Sequence, residues 1–153
     1  MPLYFAPEQW TVSVNYNLSL DEMIAAGNFR TVDRNYSAAT FPIKGDGINS
    51  LVIRLLRIET RKDDTTTQEV LDSMKSNVVR PATLEELLAF ASIVPPVRMT
   101  RRVFALGTTW CDPDGLVYLP ECNFSTPRRL HLCPIRREPW WSAIDDCFAC
   151  VPL

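Results

Sequence analysis

A single α+β domain is predicted for this chain, with about three helices packed on a twisted, mostly antiparallel sheet that ends in β-hairpins. Three observations predict it. The chain has 153 residues, 46% of them hydrophobic, which suits one core and argues against disorder. Helix-start signals stand at Ser19, Thr66 and Thr83, all before residue 98. Beyond residue 98 the helical period disappears, and short apolar runs alternate with turn residues.

Residues 1–9 read as an irregular tail. Trp10, Val12, Val14 and Tyr16 then alternate with Thr11, Ser13 and Asn15, the period of a half-buried strand. In "SLDEMIAAG" Ser19 can cap a short helix, Glu22 can answer it three residues on, and Gly27 can close it. Residues 28–47 look irregular, with "KGDG" a turn. "LVIRLLRIE" from Leu51 is a strand with Leu51, Ile53 and Leu55 on one face. Leu56 and Ile58 share the other face with Arg54, so partial cover of both faces is expected. Thr66 with Glu69 opens a second helix that buries Val70, Leu71 and Met74.

"VVRPATLEELLAF" carries the strongest local signal. Pro81 biases Arg80 toward an extended conformation, Thr83 caps, and Glu86 completes the capping box. Leu84, Leu87, Leu88 and Ala91 follow at helical spacing, so the stretch is scaffold. Glu85 and Glu86 are adjacent and diverge by about 100° around a helix, which argues against paired catalytic carboxylates. "IVPPVR" ends that helix. "RRVFALGTTW" is a strand with Val103, Ala105 and Gly107 on one face and Phe104 and Leu106 on the other. "CDPDG" turns it and "LVYLP" returns, a hairpin over 102–119. "RRLHL" and "CFACV" are two further short strands.

The formal net charge of −2 argues against general nucleic-acid or membrane-surface binding. The charge is uneven: residues 98–137 hold seven Arg against Asp112, Asp114 and Glu121, a local surplus of +4. Of the 16 basic residues 13 are Arg, which suits planar contacts to carboxylate, phosphate or aromatic groups. The N-terminus lacks the charged and apolar regions of a secretory signal, and no run approaches the roughly 20 apolar residues of a membrane span. Five cysteines, all at or after Cys111, fit reduced thiols in a cytoplasm.

"SLDEMIAAGNF", "FPIKG", "RPATLEELLAF", "ALGTTWCDPDG", "RRLHL", a Trp pair and a final "FACV" occur in that order. Together, over about residues 11–151, they resemble a family of small uncharacterised bacterial proteins common in candidate-phylum bacteria. The resemblance implies no activity. It departs from the family at Val78 and Val79, where the family tends to have Gly and an aromatic, and at the terminal "VPL". A helix opened by "RPATLEE", then hairpins and a Trp-rich C-terminal third, is also similar to C-type-lectin-like domains. The calcium motif of lectins is not visible, so only the fold is implied.

Cys147 and Cys150 have the spacing of zinc knuckles, but on a strand an odd separation sends them to opposite faces. Cys111, Cys133 and His131 stand at no standard metal spacing. A Cys133–His131 nucleophile pair on one strand face would be about 6.6 Å apart at the backbone. No Ser–His–Asp elbow and no phosphate loop appears. The sequence therefore predicts no cofactor and leans away from an enzyme. The functional signal is aromatic plus Arg: Trp110, Arg128, Arg129, Arg136, Arg137, Trp140 and Trp141. They suggest a cytoplasmic, non-catalytic binding protein whose partner is a protein or a small anionic or aromatic ligand. The alternatives are an anion or nucleotide pocket using those Arg side chains, and a thiol- or metal-dependent enzyme using Cys111, His131 and Cys133.

Overall fold

The structure is a computed structural model that describes residues 3–58, 65–94, 101–135, 141 and 146–153. Among them are three helices and nine strands, forming one α+β domain on a single mixed sheet. The strands are β1 (Leu3–Asn15), β2 (Thr31–Val32), β3 (Ile48–Ile58), β4 (Val79–Pro81), β5 (Arg102–Phe104), β6 (Trp110–Cys111), β7 (Val117–Asn123), β8 (Arg129–Pro134) and β9 (Asp146–Pro152). They lie in the order β1-β3-β9-β5-β7-β8-β2, with β4 beside β9 and β6 beside β7. The β5–β9 and β2–β8 pairings are parallel; the other six are antiparallel.

The helices α1 (Leu20–Ala25) and α3 (Leu84–Ile93) pack on one face of the sheet, and α2 (Thr67–Ser76) on the other. β3 divides the two cores as its alternation requires. Ile53 and Leu55 join Leu84, Leu87, Leu88 and Phe90 on the α3 side; Leu56 and Ile58 join Val70, Met74 and Phe148 on the α2 side. All four of these β3 side chains are buried, so the strand is covered twice. β9 does the same: Cys147 and Ala149 face α3, Phe148 and Cys150 face α2.

Each helix starts where the capping residues say. Ser19 and Thr83 make full capping boxes with Glu22 and Glu86, and Thr66 accepts from the Glu69 N–H. Glu86 is buried, and both its oxygens take Arg80 N–H groups at 2.8 and 2.6 Å. Burial would raise its carboxyl; the hydrogen bonds from Arg80 and Thr83 outweigh that and hold it below the usual range. Glu85 is buried as well and accepts the Lys44 N–H at 3.1 Å. The two glutamates fix the start of α3 to its surroundings.

Four expectations are corrected. Residues 3–9 are not a tail: they belong to β1, and Leu3, Tyr4 and Phe5 pair with the far end of β3. A register shift between Phe5 and Gln9, around Pro7, breaks the alternation that marks the rest of the strand. Gly27 is not the left-handed residue after α1; Asn28 is, at φ 54°. The segment 28–47 is not wholly irregular, because Thr31 and Val32 pair with Arg129 and Leu130. The hairpin after Arg102 runs further than residue 119: β7 continues to Asn123, whose partner is Arg102, and the short β6 closes around the turn at Gly115 (φ 87°).

Val78, between α2 and β4, is 61% exposed and sits at φ 58°. A β-branched residue is strained in that region, and its exposure leaves little packing to lose. Val78→Gly is expected to stabilise by about 0.5–1 kcal/mol after the entropic cost of glycine is subtracted. Thermal unfolding checks this: a raised melting temperature agrees, and a lowered one contradicts the strain.

Candidate functional site

Pairing across five strands builds a polar row on the α2 side of the sheet. Asp146 of β9 stands beside Arg102 of β5, Arg102 beside Asn123 of β7, Asn123 beside Arg129 of β8, and Arg129 beside Thr31 of β2. Residues directly opposite in a ladder share a face, so these side chains line up at strand spacing, about 4.8 Å apart. Two residues along the strands, the next row is Phe148, Phe104, Glu121 and His131. The row after that includes Leu119 and Cys133, where the apolar cluster under α2 ends.

The charges in these rows are unevenly satisfied. Asp146 is fully buried and holds Arg102 at 2.7 Å. Glu121 is 7% exposed, and its Arg102 contact is only 4.0 Å. Among the described residues no hydrogen bond reaches its carboxylate. Burial pushes the Glu121 carboxyl up, and the charges of Arg102 and His131 offset this only in part. Asn123 turns its side-chain oxygen to the Ser125 N–H at 3.0 Å, leaving its amide N–H groups for other acceptors. Arg129 is exposed and His131 half-buried.

The raised carboxyl has a definite consequence for stability. The folded chain holds the Glu121 proton more tightly than the unfolded chain, whose carboxyl has its ordinary value near 4.5. Stability is therefore expected to fall as pH rises from that value through the folded one, and the deficit persists at neutral pH. Glu121→Gln removes the buried charge and keeps the shape. It is expected to raise the melting temperature at pH 7 and to flatten this part of the pH profile. A lower melting temperature at pH 7 would show instead that the Arg102 contact dominates.

The residues singled out from the sequence do not fall on one surface. Trp110 lies on the α3 side, half-buried between Phe41 and Tyr118 with ring centroids at 6.3 and 5.5 Å. Trp141 lies on the α2 side, buried against Phe104 and Phe148, its indole N–H given to the Thr67 hydroxyl at 3.1 Å. Arg128 and Arg129 are neighbours in sequence and opposites in role. Arg129 is exposed on the polar row; Arg128 is buried and donates to the carbonyls of Gly27, Ala91 and Val94 at 2.9, 2.8 and 2.6 Å. A groove of about 370 Å³ beside it is lined by Asn28, Phe29, Arg30 and Phe124, with Arg128 as a structural wall. Arg136, Arg137 and Trp140 lie outside the described residues.

The thiol and metal candidates separate too. Cys147 and Cys150 enter opposite cores, and burial pushes both thiols up, Cys150 to about 12. Cys122 is likewise buried and raised, while Cys111 is exposed. Among the described residues no three His, Cys, Asp or Glu side chains converge to hold a metal ion. Glu121 and Asn123 escaped the sequence reading because the strand was closed at Pro120. Their spacing from Leu119 on one strand face is the signal that could have found them.

Comparisons with protein-family models, with curated proteins and with solved structures gave no match.

Proposed function

We propose that this protein is a non-catalytic binding module that meets an anionic ligand on the α2 side of the sheet, at the row Arg102, Asn123 and Arg129. The observation that carries this reading is the in-register placement of two arginines around an amide. Arg102 is committed mainly to Asp146, which fixes its position, while Arg129 is exposed and keeps its planar donors. Of the described residues singled out from the sequence this keeps Arg129 and adds Arg102, while Arg128 and Trp141 are buried and Trp110 lies across the sheet. None of the five cysteines forms a disulfide, and a reducing compartment, the cytoplasm, is part of the proposal. No helix among the described residues is long and apolar enough to cross a membrane. Membership in the family of small candidate-phylum bacterial proteins is part of the proposal. A C-type-lectin-like fold is its finer form and contributes no ligand.

One observation favours a second reading, an acid–base enzyme: His131 stands directly across from Glu121 on the neighbouring strand. Cys133 shares that face two residues on, without Cys111 beside it.

Titration with inorganic phosphate and with valerate, followed by NMR, tests the binding reading. Arg129→Ala is expected to weaken either anion about tenfold or more, with the melting temperature unchanged, because it removes exposed charge-assisted hydrogen bonds. Undiminished binding in that variant contradicts the reading.

A further inference from the structure

We infer that the groove beside Arg128, on the α3 side of the sheet, is a second binding site and takes an aromatic carboxylate. The carboxylate meets Arg30 and Arg128, and the ring lies on Phe29. This site is separate from the polar row and does not depend on the binding reading above.

Pairing between β2 and β8 builds the groove. Thr31 stands beside Arg129, and one step earlier the Arg30 N–H donates to the Arg128 carbonyl at 2.7 Å. Thr31 and Arg129 share the α2 side, so alternation sends Arg30 and Arg128 to the other. Between this edge and the segment 124–127 lies a volume of about 370 Å³, within the range of small-molecule sites. Its lining holds two arginines and no acidic residue. Among the described residues neither arginine forms an ion pair with a carboxylate. Arg30 is exposed and keeps its planar donors for a ligand. Arg128 is only 8% exposed, and neutral groups alone meet its guanidinium: three backbone carbonyls and the Phe124 ring. Three of its five N–H donors are used. The two left over, the Nε–H and one on Nη2, sit on adjacent nitrogens and have no acceptor among the described residues. A buried cation without a counter-ion costs stability, and no carboxylate offsets the burial that lowers the pKa of this guanidinium. An anion in the groove supplies the missing charge, and a carboxylate fits two adjacent donors side-on. The half-buried Phe29 and the exposed Pro127 give the groove its apolar surface. A ring beside a guanidinium favours a flat aromatic group over an alkyl chain.

The test is NMR titration of the full chain with benzoate, with benzamide as its neutral counterpart and with acetate as a carboxylate without a ring. Affinity is read from the backbone amides of Phe29, Arg30, Thr126 and Arg128. Benzoate is expected to bind there about tenfold or more tighter than either comparison compound. In Arg30→Gln, which alters an exposed side chain and is expected to keep the wild-type melting temperature, benzoate is expected to weaken about tenfold while benzamide is unchanged. Arg129→Ala, across the sheet, is expected to leave benzoate binding at these amides intact. Benzamide or acetate as tight as benzoate, benzoate affinity unchanged by Arg30→Gln, or shifts confined to Arg102, Asn123 and Arg129 overturns the groove as an aromatic carboxylate site. The polar row is judged separately, by phosphate and Arg129→Ala, so either site can fail while the other stands.

Discussion

Arg128→Met is expected to cost about 3–5 kcal/mol of stability, the largest single loss outside the hydrophobic core. Its guanidinium reaches the carbonyl of Gly27 just after α1, and those of Ala91 and Val94 at the end of α3. The last turn of a helix leaves carbonyls without donors, and a cation there also faces the negative end of the helix dipole. Arg128 satisfies two helix ends with one side chain and stacks over the Phe124 ring at 4.9 Å. Hydrogen bonds to a charged donor contribute about 1.5–3 kcal/mol each, and their losses here are not additive. Burial lowers the guanidinium's pKa from its ordinary value, without making it an acid near neutral pH. Arg128→Lys is expected to recover only part of the loss, because one ammonium cannot span three carbonyls in a fixed fork. Urea unfolding of the three proteins measures this. A lysine variant as stable as the wild type would show that charge alone, and not the fork, holds the two helices.

Gly107→Ala is the second large effect, expected to cost about 2 kcal/mol or more although the residue is exposed. A Cβ there would stand 2.6 Å from the Ala82 carbonyl oxygen and 2.9 Å from the Pro81 oxygen. Both are backbone atoms and cannot rotate away. The segment they belong to is pinned: Ala82 donates to the Ala149 carbonyl at 2.9 Å, and the Leu84 N–H donates to the Thr108 hydroxyl at 2.8 Å. The methyl must therefore separate the residue 105–108 segment from the start of α3, with loss of the Gly107 N–H to Ala82 carbonyl bond at 2.8 Å. Gly115→Ala is the control. Open space surrounds it, so only its left-handed backbone (φ 87°) opposes a side chain, at about 1 kcal/mol. Equal losses in the two variants would mean that the close approach at Gly107 contributes nothing.

Those two residues also show what the sequence could and could not reveal. Local rules were enough for the helices, because a capping box and a leucine stripe involve residues within one or two turns of each other: Thr83, Glu86, Leu84 and Leu87 stand as their spacing requires. The two faces of β3 and the split of Cys147 from Cys150 followed from strand period alone. The site did not follow, because it depends on register between strands far apart in the chain. Strand alternation says that Arg128 and Arg129 point to opposite faces. Only the packing of α1 and α3 decides that Arg128 is the buried one. Likewise Trp110 and Trp141 read as one aromatic cluster until the sheet is seen to pass between them. Glu121 becomes notable only when Arg102 and His131 arrive on either side of it from neighbouring strands.

The most direct test of the recognition face is to map backbone amide shifts in the isotope-labelled chain during titration with inorganic phosphate. The largest changes are expected at Arg102, Asn123 and Arg129, all on the α2 side of the sheet. Largest changes at Trp110 and Tyr118, on the opposite side, would contradict a polar row as the place where the ligand is met.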